Sequence, residues 1–239
     1  MHVLPILSTT VTFFFTAAVF NRYRRKGGAH LLLWTIGLLL YGLGTLSEVI
    51  LGFAFSEAVL KLWYLSGAML TAAWLGQGSV HLLVRRRGVA LALTYALAAV
   101  SLLALVLIAL APLTPAAAAY DPAEPVSLQY KDILVRSSLV TLLTVFLNIY
   151  GTLTLVGGAV YSAFLFWRKQ VLLDRMVGNL FIAAGAMMPA MAGSFVKAGL
   201  VDWLYLSELL GAALMYFGFV RATAGKPVKA SEPAPAAAD

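Results

Sequence analysis

The chain is 239 residues long, 62% hydrophobic and only 11% charged, whereas a soluble domain is about 45–50% apolar and about 25% charged. That much apolar surface exceeds what a core of this size could hide behind a polar shell, so most of it must face lipid. The absence of cysteine excludes a disulfide framework, thiol catalysis and cysteine-held clusters, and it leaves the redox compartment unread.

A membrane-crossing helix needs about 20 predominantly apolar residues, because the hydrocarbon layer is about 30 Å thick and a helix rises about 1.5 Å per residue. Seven stretches meet that need, at roughly 3–20, 31–53, 58–84, 89–111, 138–166, 177–199 and 202–220. The expected fold is an all-α membrane protein with seven transmembrane helices filling residues 1–223. The first stretch, opening MHVLPILSTT, has no basic segment before it and no small-residue cleavage site after it, so it reads as a retained span rather than a signal peptide. The second and third are separated only by AFSE, and the sixth and seventh by about two residues around Leu200 and Val201; both pairs read as tight antiparallel hairpins. The fourth carries no charge and reads as lipid-facing. Residues 224–239, rich in alanine and proline with almost no large apolar side chain, read as a disordered tail.

The net charge of +7 resolves into a topology signal. Thirteen of the 17 lysines and arginines fall in the loops after spans one, three and five and in the tail: Arg22, Arg24, Arg25, Lys26, Arg85, Arg86, Arg87, Arg168, Lys169, Arg175, Arg221, Lys226 and Lys229. Lys61, Lys131, Arg136 and Lys197 remain for the other side. Cytoplasmic loops carry the basic excess, so the expected orientation has the N-terminus outside and the C-terminus cytoplasmic, in the plasma (inner) membrane of a prokaryote. No nucleic-acid partner is needed. The one sizeable loop, PLTPAAAAYDPAEPVSLQYKDILVRSS, then lies on the outer face; from Ser127 onward it reads as the start of helical structure, and it either caps an outer cavity or simply crosses the bundle.

Seven spans divide naturally into three, one and three. Trp63-Tyr64-Leu65-Ser66 at the start of span three parallels Trp203-Leu204-Tyr205-Leu206-Ser207 at the start of span seven, and NRYRRK after span one parallels WRKQ after span five. In topology this layout resembles the three-plus-one-plus-three carriers, such as the SWEET sugar transporters and the nicotinamide riboside carriers, and the microbial rhodopsins. It lacks a Pro-Gln dipeptide of the PQ-loop type, and it lacks the lysine in span seven that a retinal Schiff base requires. The residues Leu33-Trp34 through Tyr41-Gly42 into Leu46-Ser47-Glu48, followed by Leu62-Trp63-Tyr64-Leu65-Ser66-Gly67, also resemble the seven-helix sensory regions of bacterial histidine kinases, although no kinase segment follows.

An ionisable side chain in hydrocarbon costs about 2.5–3.5 kcal/mol on insertion scales, which makes each one a candidate functional residue. Glu48 in span two lies about 8 Å below the outer boundary and Glu208 in span seven about 10 Å below it. Their candidate partners are Lys61 and Lys197, with Glu57 and Asp202 at the rim and Ser47, Ser66, Tyr205 and Ser207 as donors. Deeper down, Gln77 and Asn148 extend a ligand site toward the cytoplasm or serve as interhelical packing bonds. Trp34, Trp63, Trp167 and Trp203 fall where an aromatic belt would place them, leaving Trp74 to touch a pocket. Pro189 should kink span six and is the candidate gating residue. His30 and His81 both lie toward the cytoplasm and admit a haem reading, but each stands close to a basic loop where a histidine needs no ligand. No metal-binding or catalytic motif occurs.

The expected function is therefore that of a small-solute or cation carrier with an outward-facing polar pocket, neither an enzyme nor a holder of cofactor or metal. The alternative is a seven-helix sensor or accessory subunit whose basic cytoplasmic loops contact a protein partner. Ligand-binding candidates are Glu48, Glu208, Lys61, Lys197, Ser207, Tyr205, Gln77, Asn148 and Trp74.

Overall fold

The computed structural model describes residues 3–84, 86, 88–169, 173–197 and 201–224, with side chains for all of these except 169, 192–197, 201 and 202. Helices are α1 (Val3–Lys26), α2 (Ala29–Leu51), α3 (Glu57–Leu83), α4 (Val89–Ala109), α5 (Val126–Ile133), α6 (Ser138–Lys169), α7 (Leu173–Lys197) and α8 (Val201–Ala224). Among the described residues there is no strand, and the backbone makes one isolated antiparallel bridge, Leu113 to Leu134. Six of the helices (α1, α2, α3, α4, α6 and α8) are long and apolar enough to cross a membrane. The remaining expected span coincides with α7, which is not among these six. Asp174, Arg175 and Asn179 interrupt its apolar run near its start, and Pro189 lies inside it.

The basic residues expected in the first loop lie instead on α1, which continues helically through Arg24, Arg25 and Lys26. Cations in a final turn face the partial negative charge of the helix end, which favours continuing the helix there. That leaves a connection of only two residues, Gly27 at φ 66° and Gly28 at φ 103°, a backbone region open to glycine and strained for other residues. The turn between α7 and α8 at residues 198–200 lies outside the described residues.

Helices α7 and α8 are packed backbone against backbone through four glycines. A Cβ on Gly178 would sit 2.6 Å from Ala222 N and Gly218 O, and one on Gly218 would sit 2.5 Å from Gly178 O. Two turns further along, a Cβ on Gly185 would meet Gly211 O at 2.7 Å and one on Gly211 would meet Gly185 O at 2.8 Å. Small residues in this arrangement let membrane helices approach closely. Pro189 has no N–H for the carbonyl four residues earlier, that of Gly185, and this carbonyl lies against Gly211.

Helix α4 behaves as expected of a lipid-facing span: its mean hydropathy is 2.5 and only 17% of its apolar stretch is buried. Helices α1, α2, α3 and α8 are more deeply packed. The loop between α4 and α6 forms a short 3₁₀ turn at Pro115–Ala119 and the separate helix α5. Thr114 N donates to Ile133 O at 2.9 Å and Val135 N to Pro112 O at 3.1 Å. The Gln129 amide pins the irregular half, accepting from Asp121 N and donating to Asp121 O and Glu124 O. Val126, Ile133 and Leu134 belong to the same buried cluster as Leu60, Trp63 and Tyr64 of α3, and Tyr130 packs its ring on Trp63 and Tyr64, so α5 lies across this end of the bundle as a packed roof.

Helix α3 is irregular where the site forms. Tyr64–Leu70 is a seven-residue π-helical stretch between α-helical segments Glu57–Trp63 and Thr71–Leu83. Widening the turn takes carbonyls out of the usual ladder, and two polar side chains meet them. Thr71 Oγ1 donates to Ser66 O at 2.8 Å and Asn148 Nδ2 to Ala68 O at 2.7 Å. Gly67 is where α3 meets α2, since a Cβ on Gly44 would lie 2.9 Å from Gly67 Cα. Long π stretches are rare and cluster at functional sites.

Candidate functional site

Beneath α5 a cavity of about 450 Å³ opens between α2, α3, α6, α7 and α8. From Trp63 down to Leu75 on α3, both of which line it, it runs about 18 Å along the helix axis. Its polar lining comes from Thr45 and Glu48 of α2, Thr71 of α3, Ser127 and Lys131 of α5, Asn148 and Thr152 of α6, and Glu208 of α8. Aromatic lining comes from Tyr41, Trp63 and Tyr130, and the deep end is apolar, closed by Leu75, Leu155, Val156 and Met215.

The two glutamates form the centre of this site. Glu48 is 7% exposed, and its Oε1 accepts a hydrogen bond from Trp63 Nε1 at 2.9 Å. Glu208 is reached from the same helix face through Tyr41, whose hydroxyl donates to the Glu208 main-chain oxygen at 2.8 Å. The carboxyl groups of Glu48 and Glu208 face each other, and Oε2 of each is buried without a hydrogen-bond donor. Ser127 Oγ, on the roof, is likewise buried and unpaired. Buried polar atoms are nearly always partnered, and three without a partner face this one cavity.

Around the mouth the roof is held by aromatic rings. Tyr130 lies 5.2 Å from Trp63 and 5.6 Å from Tyr64, and the Arg136 guanidinium stands 5.0 Å over the Tyr130 ring. Burial pushes the Tyr130 hydroxyl up, against the opposing pull of Arg136. In the preceding loop, burial together with the Glu48 and Asp121 carboxylates pushes the Tyr120 hydroxyl up to about 12, so near neutral pH it faces Glu48 as an uncharged phenol. A side pocket joins Glu48, Tyr120 and Tyr205.

The structure distributes the other candidates differently. Asn148 and Pro189 line the cavity. Tyr205 is buried beside both glutamates, while Ser207 turns its hydroxyl back to Leu204 O at 2.7 Å. Lys61 meets neither glutamate; its Nζ pairs with Glu57 Oε1 at 2.6 Å and donates to Ala109 O at 3.0 Å, capping the end of α4. An i, i+4 carboxylate on the same helix captures the ammonium before any partner across the bundle can. The Lys197 side chain lies outside the described residues.

Trp74 and Gln77 face α4 rather than the cavity. Trp74 Nε1 donates to Ser101 Oγ at 3.1 Å, and Gln77 Nε2 donates to Ala90 O at 2.9 Å and Thr94 Oγ1 at 2.8 Å. Gln77 Oε1 accepts from the Tyr150 hydroxyl, and His81 Nε2 shares a 2.7 Å bond with Thr94 Oγ1. His30 stands edge-on to Trp34 at 5.4 Å. These bonds tether a helix that otherwise touches little. Interhelical bonds in membranes average about 0.6 kcal/mol each and reach about 1.7, so Gln77→Leu, which removes three, is expected to cost about 2 kcal/mol in a denaturant titration of the micelle-embedded protein while leaving the cavity intact.

The cavity lining missed at the level of sequence comprises the hydroxyls of Thr45, Thr71, Thr152 and Ser127, the Lys131 ammonium and three aromatic rings. Trp63 at a span end reads as belt, and only its contact with Glu48 reveals otherwise; Tyr41 and Tyr130 carry no signal that separates them from ordinary packing. No family description, curated protein or solved structure matches the chain.

Proposed function

We propose that the protein is a multipass carrier for a small solute or cation, with the Glu48–Glu208 cavity as its binding site. The supporting observation is that one cavity, set among helices long and apolar enough to cross a membrane, holds two facing carboxyl groups whose outer oxygens have no donor. In this reading α7 completes a set of seven spans and the basic ends of α1, α6 and α8 are cytoplasmic. The roof helix α5 is then outside, and the cavity is an outward-facing state that must also open inward. The close glycine packing of α7 on α8 makes that pair a unit able to move as one against α2 and α3, carrying Glu208 and Pro189 with it. The paired motifs around Trp63 and Trp203 contribute little to a repeat, because Trp63 is buried while Trp203 is half exposed.

The absence of native cysteine offers a test that requires no knowledge of the solute. Single cysteines at Thr152 and Ala190, which line the cavity, are placed in oriented vesicles and challenged with a membrane-impermeant thiol reagent from either side. A carrier exposes both positions from both sides, whereas Lys131→Cys at the roof labels from the outside alone. Labelling of Thr152→Cys and Ala190→Cys from one side only would instead favour a sensor that binds ligand without passing it on.

A further inference from the structure

We infer that the solute is a small monovalent organic cation, an ammonium of the amine or quaternary class, and that it enters in exchange for a proton held between Glu48 and Glu208. This rests on the reading that the cavity is a binding site, and adds the chemistry of what binds there.

Charge sets the class of ligand. Two carboxyl groups facing each other in a low-dielectric setting cannot both ionise without a compensating cation. Lys61, the natural internal candidate, is taken by Glu57 and Ala109 O. Lys131 lines the rim from the roof helix and is exposed. The other titratable groups facing the pair are Tyr41 of α2, Tyr120 of the loop, Tyr130 of α5 and Tyr205 of α8; α3, α6 and α7 add none to the described lining. Without a bound cation the pair therefore retains one proton. When a monovalent cation binds, that proton leaves for solvent through the open mouth, and the site carries one net negative charge before and after. Such an exchange avoids changing the net charge of a buried site, which is the costly step.

The walls select among cations. A bare metal ion asks for six or more oxygens at close range or keeps its waters, whereas this cavity gathers its carboxyl oxygens at one level above a deep end closed by Leu75, Leu155, Val156 and Met215. Trp63 and Tyr41 stand beside the carboxyls and Tyr130 closes the top. Carboxylates with aromatic side chains beside them are how alkylammonium groups are recognised. A volume of about 450 Å³ falls within the range of small-molecule sites.

The test uses the purified full-length protein in detergent, with tetramethylammonium as probe and tert-butyl alcohol as its neutral analogue. Calorimetry in two buffers of different ionisation enthalpy counts protons released. The expected result is tetramethylammonium binding with release of about one proton per cation near neutral pH, no matching heat from tert-butyl alcohol, and at least a tenfold weakening in Glu48→Gln and in Glu208→Gln. Gly157→Ala, outside the cavity lining and with nothing within 4 Å of where its Cβ would stand, should bind as the native chain does and serves as the folded control. Equal binding of the neutral analogue, displacement by sodium at equal concentration, or binding without proton release would overturn the inference. Two-sided cysteine labelling together with no tetramethylammonium binding would refute the cation and leave the carrier standing; one-sided labelling with proton-coupled binding would do the reverse.

Discussion

Replacing Gly151 with alanine is expected to lower stability by about 3 kcal/mol, at the upper end of what overpacking a tight contact costs. A Cβ at this position would lie 2.2 Å from Ala72 C, 2.4 Å from Ala72 O and 2.6 Å from Ala73 N. All three are main-chain atoms, so no side chain can rotate away; α3 and α6 would have to separate. On the facing helix Gly76 is equally committed, with Thr154 Oγ1 and Gly151 O in the way of a Cβ. This crossing lies below the π-helical stretch and beside the cavity, and separating it would draw Asn148 off Ala68 O. A denaturant titration in micelles measures the loss; a Gly151→Ala protein as stable as the native chain would show that the two helices are not in backbone contact. Gly157 on the same helix has nothing within 4 Å of where a Cβ would stand, so Gly157→Ala should cost nothing and can gain from the better helix propensity of alanine.

The glutamates should respond asymmetrically to an apolar replacement of similar length. Glu208→Met is expected to stabilise by about 1 kcal/mol, because it separates two facing buried carboxyl groups and removes an oxygen without a donor, worth about 1–3 kcal/mol, against the loss of the proton-bridged contact with Glu48. Tyr41 is unaffected, since it bonds the main chain of Glu208 and not its carboxyl. Glu48→Met removes a similar orphan oxygen but strands Trp63 Nε1, which donates to Glu48 Oε1, so its net effect should be neutral or destabilising by about 1 kcal/mol. Thermal unfolding of the two variants side by side decides it. A gain in stability on losing Glu208 fits a residue retained for function at a cost to the fold; a loss on the scale of a broken buried ion pair, about 3–5 kcal/mol, would instead make the pair a structural element.

Much of the frame can be read from the chain. The helical, membrane-crossing character follows from hydropathy alone, and the equal depth of Glu48 and Glu208 follows from counting residues from the span ends. The structure places both on one cavity. What composition and counting did not reveal is direction around each helix axis. A helix that is apolar nearly all round carries little amphipathic signal to orient it, and α3 compounds this because the π-helical stretch turns everything after Tyr64–Leu70 away from the face an ideal helix would present. Trp74 and Gln77 therefore point to α4, and Trp63, above the stretch, points to Glu48. Lys61 went to Glu57 for a simpler reason: a partner one turn away on the same helix competes better than one across the bundle.

The widened stretch in α3 also bears on how this site could have arisen. A π turn is an α-helix with a residue inserted, so removing one residue between Tyr64 and Leu70 would return α3 to regular winding. Everything on the roof side of the deletion would then rotate by about 100° and shift by about 1.5 Å relative to Thr71. Trp63 would swing off the Glu48 carboxyl, and the side-chain bonds from Thr71 to Ser66 O and from Asn148 to Ala68 O would lose their register. A single-codon event thus separates a plain membrane helix from one that presents an indole to a buried acid, and relatives with and without that extra residue should divide sharply in whether they keep Glu48.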